Sequence, residues 1–160
     1  AESLPFASHL FDCVVTRLTI HHFLNPLSVL REVKRILKPD GILVIADLIS
    51  SEDHAETQLH NALEQLRDPS HIRMLPESEL LKVVNDAEFR VISTDHWLQG
   101  RQFAEWAAIV ENGRSLKSLE VVMKTIAESG LTAGVNLRSS SGSVEFVHHW
   151  MFVVAQPVSS

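Results

Sequence analysis

Residues 11–46, FDCVVTRLTIHHFLNPLSVLREVKRILKPDGILVIA, decide the fold of this chain. The run Phe11–Thr16 is short, apolar and rich in β-branched residues, which predicts a buried strand. The pair Asn25–Pro26 is typical of a helix start, and apolar residues follow at helical spacing. The predicted stripe comprises Val29, Leu30, Val33, Ile36 and Leu37. A turn at Lys38–Gly41 and a second apolar run, Ile42–Ala46, complete a strand–helix–strand unit. Because such units are parallel and right-handed in nearly all cases, this stretch predicts an α/β fold.

The rest of the sequence predicts further helices and strands within a single domain, residues 1–160. A helix is predicted after Ser50–Asp53, with its buried stripe formed by Ala55, Leu59, Ala62, Leu63 and Leu66. Further predicted elements are a helix from Pro76, a strand from Phe89 to Thr94 that extends towards Trp97, a helix at Gln102–Glu111 broken by Asn112–Gly113, a helix capped by Ser115, and a hairpin with arms Gly134–Arg138 and Val144–Ala155. The predicted order is therefore β-α-β-α-α-β-α-α-β-β, a parallel sheet that ends in an antiparallel hairpin.

Composition excludes several classes of protein. The chain has 160 residues, of which 45% are hydrophobic, and its formal net charge is −6. That apolar fraction is too high for a disordered chain, and no apolar run approaches the length of a membrane span. The basic residues are scattered, so neither nucleic acid nor a membrane is expected as a partner. The single cysteine, Cys13, fits a reducing cytoplasm, and we expect it to be a small core residue.

Several blocks of sequence resemble one enzyme family. Leu4–Phe6, Phe11–Asp12 and Arg17–Phe23 are similar to the middle of class I S-adenosylmethionine-dependent methyltransferases, in particular the small-molecule type that includes the ubiquinone and menaquinone enzymes. The block Leu30–Ile45 resembles that family's L-R-E-…-R-V-L-K-P-G-G segment. The blocks occur in the family's order and spacing, and they cover residues 1–50 most strongly.

The resemblance implies a Rossmann-like sheet that is only part of the family's sheet. In the family, seven strands form the sheet and a glycine-rich turn after the first strand approaches the cofactor. The first three strands and that turn have no counterpart in this sequence, so we expect a truncated domain. Phe11–Thr16 would then lie at an open edge of the sheet. Because such edges drive association, we expect a homo-oligomer, for example a homodimer, formed through this strand or the neighbouring helices, unless a missing N-terminal half covers the edge.

The resemblance also implies site residues around S-adenosylmethionine. The implied cofactor-binding residues are Glu2, Ser3, Leu4, Thr16, Arg17, Leu18 and His22. His21 and His22 are the candidate catalytic residues, because an imidazole beside the reacting atoms can act as a base near neutral pH. The alternative for Thr16–Leu18 is an ordinary strand-to-helix loop. The alternative for both histidines is a structural role at the helix start.

Other polar residues offer weaker indications. Asp47 either faces the substrate or caps the turn that follows it, and Asp68–His71 is a loop that could cover a substrate. His148–His149 alternates along the last strand, which favours a buried or edge position over a ligand role. No histidine spacing completes a set of metal ligands, so no metal site is predicted.

Two classes of function remain open at this point. The first is methyl transfer to a small-molecule acceptor, in which proximity and orientation contribute most of the catalysis. The second is a non-catalytic module for dimerisation or binding that has lost the cofactor-binding half of a methyltransferase. The glycine-rich turn is the feature that separates the two classes.

Overall fold

The computed structural model describes residues 1–110, 116–140 and 142–158. Its elements are β1 (Phe11–Arg17), a 3₁₀ turn (Ile20–His22), α1 (Pro26–Ile36), β2 (Leu37–Ile49), α2 (His54–Arg67), α3 (Glu77–Asp86), β3 (Phe89–Gln102), α4 (Phe103–Ala108), α5 (Lys117–Glu128), β4 (Arg138–Ser140) and β5 (Ser143–Pro157). The predicted order of helices and strands is confirmed. The predicted break at Asn112–Gly113 and the cap at Ser115 lie outside the described residues.

The sheet is mixed, with the strand order β1-β2-β5-β3. β1 and β2 are parallel and are joined by the crossover helix α1, while β5 runs antiparallel between β2 and β3. The short strand β4 pairs with the start of β5 and forms the predicted hairpin. Its first arm is Arg138–Ser140, so the prediction of Gly134–Arg138 placed the arm four residues too early. The α/β class, with parallel strands and a C-terminal antiparallel hairpin, is confirmed.

The change from α1 to β2 is more abrupt than the sequence suggested. Asn25 caps α1 by accepting a hydrogen bond from the Ser28 backbone N–H, as predicted. The helix ends at Ile36, and Leu37 is already the first residue of β2. Gly41 therefore lies within this strand, but the predicted turn is retained as an irregularity of the strand. Phe11 of β1 pairs with Leu37 and Cys13 pairs with Ile42, so the register shifts at residues 38–41. A Cβ on Gly41 would lie 3.0 Å from the Lys38 carbonyl oxygen, so close packing of the backbone explains the glycine.

Two apolar clusters stabilise the sheet. The larger lies where α1 and α3 pack on the sheet, and its most buried members include Leu30, Leu37, Leu43, Ile45, Leu80, Val84, Phe89 and Met151. The smaller lies beneath α4 and α5 and includes Leu63, Phe103, Trp106, Leu119, Met123, Val144 and Phe146. The main cavity described below has Trp106 in its wall, so the second cluster helps to fix that wall.

The inner face of α2 is polar, which corrects the predicted apolar stripe. Ala55, Ala62 and Leu66 are exposed, whereas Leu63 is buried as expected. The other buried residues of this helix are Thr57, His60, Asn61 and Glu64. Buried polar groups need partners to offset the loss of hydration, so this face indicates a polar site between α2 and the sheet.

The expectation for Cys13 is corrected by the structure. Cys13 is exposed and is not a core residue, because β1 is an outer strand of the described sheet. Trp97 is 60% exposed, while Trp106 and Trp150 are buried. Glu88, which follows α3, has the left-handed conformation with φ +62°, a conformation that glycine adopts more readily than other residues. Within the described residues, no helix has the length and hydropathy needed to cross a membrane.

Candidate functional site

The main cavity lies at the carboxyl ends of β1 and β2 and has a volume of about 380 Å³. Ligands bind at this end of open α/β sheets, because loops from several strands converge there. The lining residues are Leu18, His21, His22, Leu48, Glu64, Arg67, Asp68, His71, Met74, Arg101, Trp106, Ile109, Val110, His148 and Trp150. The cavity is the size of a small-molecule site and combines apolar walls with a few polar groups.

His21 and Asp47 form a buried pair in this cavity. The 3₁₀ turn after β1 carries His21, whose Nδ1 lies 2.5 Å from Asp47 Oδ1. The other carboxylate oxygen of Asp47 accepts hydrogen bonds from the backbone N–H groups of Thr19 and Ile20, at 3.0 Å and 2.8 Å. Asp47 therefore caps the turn and also orients the imidazole, and only 1% of its surface is exposed. Because the carboxylate accepts the Nδ1 proton, Nε2 of His21 is left as the basic nitrogen.

Two more histidines surround His21. His22 Nδ1 donates to the Ser70 carbonyl oxygen at 2.9 Å, which ties the turn to the loop after α2. The ring centroid of His71 lies 5.3 Å from that of His21, in a stacked arrangement. Burial lowers the pKa of His71 to about 4, so this imidazole is neutral at pH 7. The loop Asp68–His71 thus lies against the cavity, as the sequence suggested, and the backbone N–H groups that follow it bind the His21 carbonyl oxygen.

The residues predicted to bind the cofactor fall into two groups. Leu18 lines the main cavity and has a positive φ of +53°. Arg17 packs its guanidinium over Trp150, 5.4 Å from the ring centroid, and the hydroxyl of Thr16 is hydrogen-bonded to that of Thr19. Of these three residues at the end of β1, Leu18 is the one that lines the cavity.

The second group lies at another cavity, which His22 also lines. Glu2 and His22 share a smaller cavity of about 270 Å³ with Phe23, Leu24 and Val29. Ser3 is exposed beside it, and the Leu4 backbone N–H donates to Glu32 Oε1 at 2.8 Å, which holds the N-terminal segment against α1. His22 is thus the residue that brings the two groups of predicted cofactor residues together.

Sequence reasoning missed the acidic centre of the site, Glu64. Its carboxylate accepts a hydrogen bond from His148 Nε2 at 3.1 Å and forms an ion pair with Arg67 at 2.9 Å, and His60 Nε2 lies 3.8 Å away. Burial raises the pKa of the Glu64 carboxyl, but the neighbouring His148, His60 and Arg67 outweigh it and hold the pKa well below its usual range. The recurrence of polar residues at positions 57, 60, 61 and 64 of α2 is the signal that could have found this centre.

Indole rings form the apolar walls of the cavity. The Arg67 guanidinium lies over the Trp106 ring, 4.8 Å from the ring centroid. The indole of Trp150 donates from Nε1 to Gln99 Oε1 at 2.9 Å. A guanidinium therefore lies over each ring, that of Arg67 over Trp106 and that of Arg17 over Trp150. Arg101 lines the same cavity and supplies a further positive charge.

The comparisons with known proteins agree with this geometry. The profile of the methyltransferase-domain family matches residues 1–94. The uncharacterized protein YafE of Escherichia coli K12 is 36% identical over 116 residues, which are 72% of this chain and 56% of YafE. The uncharacterized methyltransferase YcgJ of Bacillus subtilis is 35% identical over 106 residues, which are 66% of this chain and 42% of YcgJ.

A solved structure extends the similarity to almost the whole chain. Protein BH2331 of Bacillus halodurans C-125, assigned to the methyltransferases, superposes with a TM-score of 0.87 at 26% identity, covering 98% of this chain and 69% of that protein. This chain spans about half the length of the curated relatives it matches.

Proposed function

The chain belongs to the class I S-adenosylmethionine-dependent methyltransferase family, and from that membership we propose that it takes part in methyl transfer to a small-molecule acceptor in the main cavity. The observation that carries the proposal is the buried His21–Asp47 pair at the carboxyl ends of β1 and β2. An imidazole oriented by a carboxylate is suited to removing a proton from an acceptor.

In this proposal, His21 is the general base. Nδ1–H donates to Asp47, so the lone pair on Nε2 is free to accept a proton from an acceptor hydroxyl, amine or carbon acid. Hydrogen bonds from the Thr19 and Ile20 N–H groups hold Asp47 in place, so its carboxyl group is positioned to stabilise the imidazolium that forms without movement of the pair. His22 and the Ser70 carbonyl then hold the turn in place.

The described residues fit one wall of a site for S-adenosylmethionine. Glu2 offers a carboxylate that can accept from ribose hydroxyls, and Leu18 offers an apolar contact at the end of β1. His22 lines the cavity of Leu18 and also that of Glu2. Within the described part of the chain, no glycine-rich turn follows a strand. When bound, the cofactor supplies a sulfonium methyl group that a nucleophile attacks directly.

The lining of the cavity supports a small acceptor with both apolar and polar parts. Leu18, Leu48 and Met74 contribute apolar lining, while His71 and Arg101 offer polar contacts. A volume of about 380 Å³ accommodates a molecule of one or two rings. Neutral His71 can exchange hydrogen bonds with such a ligand without adding a charge.

A non-catalytic module for dimerisation is the second candidate, favoured by the exposed edge of β1. Val15 on this strand is 64% exposed and Cys13 is also exposed, although both belong to an apolar run. Unpaired backbone groups on such a strand favour association with a second copy of the chain. A homo-oligomer and a cytoplasmic location both stay predictions.

A labelled-methyl assay tests the proposed function. The protein is incubated with S-adenosylmethionine carrying a tritiated methyl group and a panel of phenols, hydroxy acids and amines. We expect His21→Gln to lower turnover of an accepted substrate by about 10²- to 10⁴-fold, the usual contribution of a general base. His54→Gln is the matched control, since His54 is exposed on α2 away from the cavity. Turnover in His21→Gln within threefold of the unmodified protein would rule out the proposed base.

A further inference from the structure

Three buried side chains between α2 and β5 bring atoms that can bind a metal ion close to one another. His60 and Glu64 lie one turn apart on α2, and His148 faces them from β5. One ligating atom of each residue lies within 4.8 Å of the other two. Glu64 Oε1 is the common neighbour, 3.1 Å from His148 Nε2 and 3.8 Å from His60 Nε2. Adjacent ligands of a tetrahedral zinc ion lie about 3.3 Å apart, so small side-chain rotations would complete the geometry.

No hydrogen bond among the described residues compensates for the burial of the His60 imidazole. It is 3% exposed, and neither Nδ1 nor Nε2 has a hydrogen-bond partner there. His148 Nδ1 is likewise buried without a partner. An imidazole buried in this way loses its hydration without compensation, and a buried polar group of this kind indicates a ligand or an ion.

The hydrogen bond between His148 and Glu64 is the contact that an ion would replace. His148 Nε2 donates to Glu64 Oε1 at 3.1 Å, so binding of an ion through Nε2 requires the neutral ring to carry its proton on Nδ1 instead.

We propose that His60, Glu64 and His148 bind one divalent transition-metal ion of the zinc type. Two imidazole nitrogens and one carboxylate oxygen leave one position of a tetrahedral ion open. Glu64 and His148 also line the main cavity, so a molecule in that cavity can reach the open position. The spacing of histidines in the sequence did not predict this site, because its ligands come from α2 and from β5, and His148 lies 84 residues beyond Glu64.

The positive charges around the cluster set the strength of binding. Arg67 contacts Glu64 through Oε2, which leaves Oε1 for the ion. Arg101 also acts electrostatically on His148. Both guanidinium groups repel a cation, so we expect weaker binding than in a closed structural zinc site. The contact between Arg67 and Oε2 of Glu64 also fixes the orientation of the Glu64 carboxylate.

Calorimetric titration of ZnCl₂ into the full-length, tag-free, chelator-treated protein tests the site. We expect one equivalent to bind, and binding to weaken at least tenfold in His60→Gln and in Glu64→Gln. His54→Gln removes an exposed imidazole from the same helix and should bind zinc like the unmodified protein. No saturable binding, or unchanged binding in His60→Gln, would overturn the proposal.

A second measurement needs no variant and therefore stands if the variants do not fold. CoCl₂ added to the unmodified protein should give the intense visible absorption of a four-coordinate ion with nitrogen and oxygen ligands. One equivalent of ZnCl₂ should then abolish it. The weak spectrum of six-coordinate, hydrated cobalt would show that the cluster is a hydrogen-bonded contact between α2 and β5 and not a metal site.

Discussion

Removal of the Asp47 carboxylate should destabilise the protein far more than removal of an exposed cap. Asp47→Ala leaves four donors without this acceptor, namely the backbone N–H groups of Thr19, Ile20 and Leu48 and Nδ1 of His21. The contacts to Ile20 and His21 are buried, while those to Thr19 and Leu48 are partly buried. Each buried donor left without an acceptor costs about 1–3 kcal/mol, so we expect a loss of about 3–5 kcal/mol.

Asp53→Ala is the matched control for this effect. Asp53 also accepts from a backbone N–H, that of Glu56 at 3.0 Å, but it does so in an exposed position at the start of α2. Loss of such a cap costs about 1 kcal/mol.

Urea denaturation at pH 7, followed by circular dichroism, measures both variants. With a slope of about 2 kcal/mol per molar urea, Asp47→Ala should lower the midpoint by about 2 M and Asp53→Ala by about 0.5 M. Equal shifts in the two variants would refute the view that the buried carboxylate organises the turn.

Three further predictions concern other parts of the chain. Glu88→Gly should be about 1 kcal/mol more stable than Glu88→Ala in the same denaturation assay, because the φ of residue 88 is +62° and glycine adopts this conformation more readily than alanine. Both variants lose the ion pair with Lys34, so its loss cancels in the comparison. Equal stability of the two variants would contradict this prediction. The protein should lose stability as the pH falls from about 6.5 towards about 4, because the unfolded chain binds a proton at a histidine pKa near 6.5 while the pKa of folded His71 is about 4. His71→Gln should flatten this dependence in pH-stepped melts, and His54→Gln should leave it unchanged. Val15→Lys should weaken any homo-oligomer formed through β1, and sedimentation velocity measures this change. A sedimentation coefficient of the unmodified chain that does not depend on protein concentration would count against such an oligomer.

The order of helices and strands could be predicted because local signals set it. The apolar runs of β1 and β2, the cap at Asn25 and the periodicity of α1 depend on neighbours in sequence. The exposure of Cys13 could not be predicted, because it depends on which strand pairs with β1 and not on the apolar run around it.

The site was predictable only in part, for a related reason. His21 and His22 stand in a segment that resembles the family, and the structure places both in the main cavity. The buried face of α2 was missed, because polar residues such as Glu64 are typical of a solvent-exposed helix face when only the sequence is considered. The fold places His148 of β5 against Glu64, and this contact explains why the polar face is buried. Contacts between segments far apart in the sequence leave no local pattern.

The tautomer of His21 tests the central claim most directly. A long-range ¹H–¹⁵N spectrum of protein labelled at its histidines, assigned with His21→Gln, distinguishes the two neutral forms of the ring without any knowledge of the acceptor. The pairing with Asp47 predicts a proton on Nδ1 and an unprotonated Nε2. A proton on Nε2, with Nδ1 bare, would contradict the assignment of His21 as the base.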